Sequence, residues 1–188
     1  MPNDMSPMPA PAQAGGAFDL FAFLEGQSSA WGLFEDRGGI PKRTFEITTD
    51  GRWDGETFIL DEVFLYDDGE REARRWTFRP ATRQADTDSR KSRDWIGTCP
   101  ECVGSAKLTL NADSAEMSYI FRLRLKSRSI DLTFHDRFYP IGELGVMNRT
   151  DVTKFGIRVG EVTAFFGRGQ IGLANRRPEL VDQIKMSA

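Results

Sequence analysis

Between Ser28 and Phe166 the chain breaks into short runs in which apolar residues recur at every second position, with turn-forming residues between the runs. A period of two is the pattern of a strand, because successive side chains point to opposite faces. Met117–Ser127 alternates most cleanly: Met117, Tyr119, Phe121, Leu123 and Leu125 face one way, and Arg122, Arg124 and Lys126 the other. Ile130–Tyr139 repeats the pattern, with Asp136 set among Ile130, Leu132, Phe134 and Phe138. Lys42–Thr49 puts Phe45 and Ile47 opposite Thr44, Glu46 and Thr48, and Asp50-Gly51 after it predicts a hairpin turn. Ser29–Asp36, Glu56–Tyr66, Glu72–Arg79, Asp94–Gly97, Gly104–Asn111, Gly145–Thr153 and Phe155–Phe166 complete the series.

About nine or ten strands with no crossover helices between them require an antiparallel, all-β sheet. Closure into an up-and-down barrel removes both exposed edges; a β-sandwich is the alternative. A barrel of this size can enclose one small ligand. Phe18, Phe21 and Leu24, three apart and followed by Gly26, predict a short helix. So short a helix needs a surface to dock on, such as the end of the barrel. The expected organisation is a flexible tail over 1–17, a barrel over 18–170, and a tail over 171–188 in which Leu180, Val181 and Ile184 suit a short helix. Pro80–Arg93 is polar and reads as the one long loop.

Glu56–Tyr66 carries the candidate pocket. Phe58, Leu60, Phe64 and Tyr66 share a face with Glu62, while Ile59, Val63 and Leu65 share the other with Asp61. A strand apolar on both sides is covered on both sides, so one acid is expected to point inward, and the more aromatic face selects Glu62. A carboxyl in an apolar cavity has a raised pKa and suits headgroup binding or acid–base work. The structural alternative is an ion pair with Arg74 or Arg75 on the next strand. The same reasoning gives Phe58, Phe64, Tyr66, Tyr119, Phe121, Phe134, Asp136 and Asn148 as further ligand-binding candidates.

Other function classes are poorly served. A net charge of −3 and a pI near 5.3 argue against a general nucleic-acid binder. No run approaches the roughly eighteen apolar residues of a membrane span. Ala10-Pro11-Ala12-Gln13-Ala14 follows neither a basic nor an apolar signal region, which makes the cytoplasm the expected compartment. Cys99-Pro100-Glu101-Cys102 supplies half of a zinc ligand set, so a loop disulfide or two thiols is expected rather than a metal, and no cofactor is expected. His135, the single histidine, lies on the polar Asp131/Thr133/Arg137 face and reads as exposed.

Several segments resemble an uncharacterised bacterial domain-of-unknown-function family. They are Phe21–Gly32 with Trp31-Gly32, Phe34-Glu35-Asp36-Arg37-Gly38, Leu60–Gly69 with Arg75-Trp76, and Asn148-Arg149 through Lys154–Val162. The resemblance covers most of residues 18–167. Many members look like lipoproteins, and no cysteine near the start of this chain matches that pattern. The family's strands look like those of the calycin (lipocalin-like) superfamily. That resemblance implies an early tryptophan plugging the closed end beside a late arginine, a role that Trp31 and Arg158 would fill. It also makes haem ligation through His135 conceivable.

Fourteen phenylalanines with a few inward acids point first to a lipocalin-like barrel that binds a small hydrophobic or amphipathic molecule. A non-catalytic interaction module, with a homodimer among its partners, comes second. An acid–base enzyme using Glu62 or Asp136 comes third, and no catalytic residue is assigned.

Overall fold

The structure is a computed structural model and describes residues 18–81, 93–124 and 128–168. The expected tails, most of the 80–93 loop and residues 125–127 of the Met117–Ser127 run lie outside them. The elements are α1 (Leu20–Leu24), β1 (Gly26–Asp36), β2 (Pro41–Asp54), β3 (Thr57–Tyr66), β4 (Arg71–Pro80), β5 (Asp94–Thr98), β6 (Ala106–Leu110), β7 (Ala115–Arg124), β8 (Ser129–Ile141), β9 (Gly145–Lys154) and β10 (Ile157–Arg168).

Each strand pairs antiparallel with the next, and β1 pairs with β10 from Ser28↔Arg168 to Asp36↔Gly160. The result is a closed, ten-stranded, up-and-down lipocalin-like barrel, with no free edge. Alternation sorts the side chains as the sequence pattern predicts. Phe45, Leu60, Phe64, Trp76, Leu108, Met117, Tyr119, Phe121 and Phe138 are buried inside. Arg122 pairs with Asp131 across the outer wall of β7 and β8, at 2.7 Å.

One end of the barrel is stopped by α1. The Asp19 side chain caps it by accepting from the Ala22 backbone N–H at 3.0 Å. Five residues cannot hold a helix alone, so its stability comes from packing. Phe21 is 1% exposed and sits among Phe58, Trp95, Phe78 and Trp53, with ring centroids 4.6–5.7 Å away. Burying such a ring contributes about 2–3 kcal/mol. Phe18 N–H donates to Ala112 O at 2.8 Å, and Arg168 Nε to Phe23 O at 2.8 Å, tying both flanks of the helix to the rim.

Three local expectations change. Asp50-Gly51 is not a turn: β2 runs through it, and the hairpin turns at Gly55, whose φ is +59°. Gly51 answers a packing need instead, because a Cβ there would lie 2.0 Å from Leu24 O. Trp31 does not plug the barrel. It follows the inward Ala30, and lies over the outer wall beside Thr44, Glu46 and Leu65. Arg158 is also outside, paired with Asp151 and Glu161, so Phe21, Trp53, Phe58, Phe78 and Trp95 close the end. Phe155 belongs to the β9–β10 turn and not to β10; it is 92% exposed with φ +52°.

β5 and β6 are five residues each, half the length of their neighbours β4 and β7. The chain between them continues the wall by other means. Val103 N–H donates to Ile120 O and Arg122 N–H to Glu101 O, each at 2.8 Å. A disulfide joins Cys99 to Cys102. Among the described residues no group of three potential ligands could hold a metal ion, and no helix is long and apolar enough to cross a membrane.

Candidate functional site

Above the α1 plug the barrel encloses a cavity of about 360 Å³. Its walls are chiefly apolar, from Leu20 and Phe21 at the plug to Phe34, Leu123 and Leu132 at the far end. Glu62, Phe64, Tyr66, Tyr119, Phe121, Phe134, Asp136 and Asn148 all line it. Phe58 sits lower, in the plug, against Phe21 and Trp53.

Strand parity decides which acid of β3 enters. Asp61 points outward and is held by Arg75 at 2.5 Å and Arg52 at 2.6 Å. Although burial opposes it, hydrogen bonds from Arg75 and Arg52 hold its carboxyl below the usual range. Glu62 points inward between Thr49 on β2 and Arg74 on β4. Burial pushes its carboxyl up to about 7, against the field of Arg74 and a hydrogen bond from the Trp76 indole, while Asp136 adds to the rise.

Across the cavity, Asp136 on β8 accepts from Thr150 Oγ1 at 2.5 Å and from the Tyr119 hydroxyl. Burial still dominates and raises it to about 6. Burial, with the charge of Asp136, drives the Tyr119 hydroxyl well above its ordinary value. Asn148 Oδ1 lies 3.2 Å from Thr150 Oγ1, whose one proton goes to Asp136. Its Nδ2 leans toward Asp136 and favours the carboxylate, yet makes no hydrogen bond of adequate geometry.

Arg74 is the residue that sequence reasoning treated only as a structural ion partner. It shares parity with Trp76 and Phe78, so β4 carries it inside. Its guanidinium lies over the rings of Phe121 at 4.3 Å and Phe64 at 4.7 Å, and Nη2 donates to Glu72 at 2.9 Å. Its Nε is buried with no hydrogen-bond partner. Burial works against its charge, but Glu62 and Glu72 outweigh it and raise its pKa further.

Toward the open end, Tyr66 Oη donates to Glu72 at 3.0 Å, and Arg43 stacks on the Tyr66 ring at 3.5 Å. Arg43 is itself engaged by Asp68 and Glu70. His135 faces outside, its Nδ1 2.6 Å from Ser118 Oγ, away from the cavity. The interior is thus a mostly apolar chamber with one polar belt of Glu62, Arg74, Trp76, Tyr119, Asp136, Asn148 and Thr150.

A family model described as "Protein of unknown function (DUF3833)" matches residues 6–168. No curated protein is significantly similar in sequence. Among solved structures, the chain is similar to the S-type phycobiliprotein lyase CPES from Guillardia theta, with a TM-score of 0.55 and 8% identity over 80% of this chain and 90% of that one. It is also similar to EF1p2_mFAP2b, solved bound to DFHBI, with a TM-score of 0.41 and 9% identity over 79% and 95%. At 8% identity the first likeness bears on the fold alone, and the second is too loose to add to it.

Proposed function

The chain belongs to this DUF3833 family, and from its cavity we propose that it binds a small hydrophobic or amphipathic molecule inside the barrel. The observation that carries the reading is the 360 Å³ chamber, whose mostly apolar walls are interrupted by a few polar groups. Such a chamber falls at the small end of ligand sites, which pair apolar linings with a few orienting polar groups. Glu62, Arg74, Tyr119, Asp136 and Asn148 would orient the polar end, and Phe64, Phe121 and Phe134 would cover the apolar part. Native mass spectrometry of protein purified from its producing cells tests this. A mass excess of one small molecule per chain, released by organic solvent, is expected. A chain that never carries or takes up a small molecule would end the reading.

Acid–base chemistry on such a ligand is the second reading. It is favoured by two carboxyls facing one cavity with different raised pKa values, about 7 for Glu62 and about 6 for Asp136. Glu62→Gln should then abolish turnover of a bound ligand while leaving the fold intact.

A further inference from the structure

Resting on the small-ligand reading, we infer that the polar end of the ligand is a neutral oxygen acceptor, a carbonyl or hydroxyl, engaged by Arg74 and Asn148. Two buried donors on residues of the cavity wall make no hydrogen bond of adequate geometry, Arg74 Nε and Asn148 Nδ2, the second lying toward the Asp136 carboxylate. Buried donors without acceptors are costly, and each has only protons to offer. Asn148 is 7% exposed, and its NH₂ group, which makes no hydrogen bond of adequate geometry, is the donor it can offer a ligand. Arg74 is held between Phe64 and Phe121 and by Glu72, which keeps its charge engaged and leaves Nε as a donor without a partner.

The charge count then decides the class. Three carboxyls line the cavity, Glu62, Glu72 and Asp136, against two guanidiniums, Arg43 and Arg74. Arg43 is already taken by Asp68 and Glu70 at the open end. An anionic headgroup would add a further negative charge to a buried site short of positive charge. A cationic headgroup would suit that count, but it has only protons to offer and leaves both orphan donors unsatisfied. A neutral acceptor satisfies the donors and adds no charge.

Isothermal titration with four ten-carbon compounds tests this: decanamide, decanoate, decylamine and decane. Decanamide is expected to bind at least about tenfold tighter than the other three, the worth of one or two hydrogen bonds to buried donors. Asn148→Leu and the milder Arg74→Lys, each checked for fold by circular dichroism, should shrink that advantage, read in each variant as the ratio of decanamide to decane affinity. Decanoate or decylamine binding as tightly as decanamide overturns the inference. So does an advantage untouched in both variants, which would assign the two donors to water. Equal binding of decanamide and decane overturns it too, but leaves the cavity reading standing. No binding of any of the four overturns both.

Discussion

Trp76 stands edge-on to Tyr119, their ring centroids 5.1 Å apart at 79°, and each ring hands its polar atom to a different acid. The Trp76 indole donates to Glu62 on one wall and the Tyr119 hydroxyl to Asp136 on another. Two aromatic residues from β4 and β7 therefore hold the Glu62 and Asp136 carboxyls in place, and the polar belt is built as a unit.

The stability of the barrel should fall as pH rises from 5 to 8. Burial outweighs Arg74 at Glu62 and holds that proton up to about pH 7; burial at Asp136 does so up to about pH 6. Unfolded, both groups lose their protons near pH 4. Folded values above unfolded ones mean that the contribution is full at acid pH and is lost through the window from about 4 to 7. The charged groups facing Glu62 are Arg74 and Glu72 on β4 and Asp136 on β8. Glu62→Gln should flatten much of the decline and stabilise the protein at pH 8 by on the order of 2 kcal/mol. Urea midpoints at pH 5 and pH 8 measure it; identical slopes for variant and wild type would contradict the assignment.

Phe21→Ala should cost about 3–5 kcal/mol, the usual penalty for emptying a fully buried phenylalanine site. Phe21 joins four other aromatic rings, so its loss should also shift the emission of Trp53 and Trp95 to the red. An unchanged guanidinium midpoint would mean that α1 is not what closes the barrel.

Phe155→Gly should raise stability by about 0.5–1 kcal/mol. Phe155 is held at φ +52° and is 92% exposed, so it carries left-handed backbone strain with little burial to offset it. Glycine removes the strain, at a smaller cost in chain entropy. A variant less stable than wild type would show that the ring makes a contact worth more than the strain.

Replacing Cys99 and Cys102 together by serine should cost about 2 kcal/mol, from the chain entropy of the short loop they close. Thermal melts of wild type with and without reductant should show the same difference. Equal midpoints would mean that the Glu101 and Val103 backbone bonds to β7 hold this wall segment unaided.

Much of this was legible in the alternation of residues. Parity alone puts Glu62 with Phe64 and Asp136 with Phe134 and Phe138, and the same rule puts Arg74 with Trp76. Arg74 was missed because an arginine beside an acid reads first as a surface ion pair, and only the closed ring shows that its face is the inside. Asp50-Gly51 misled because the pair is a turn signal when the glycine supplies φ > 0; here it supplies room for Leu24 O. Trp31 misled because a resemblance carries a role without carrying a register. The closure of β1 on β10 joins residues more than 120 positions apart, and no local pattern encodes it.

The central claim is that the ligand lies inside the barrel, and filling the cavity tests that most directly. Ala164 is 2% exposed and lines the chamber, so Ala164→Phe places a ring in its space at an overpacking cost of about 1–3 kcal/mol. Titration of decanamide into wild type and into the folded variant should give one site per chain in the first and at least tenfold weaker binding in the second. Equal affinity in the two proteins would put the ligand elsewhere and contradict the account.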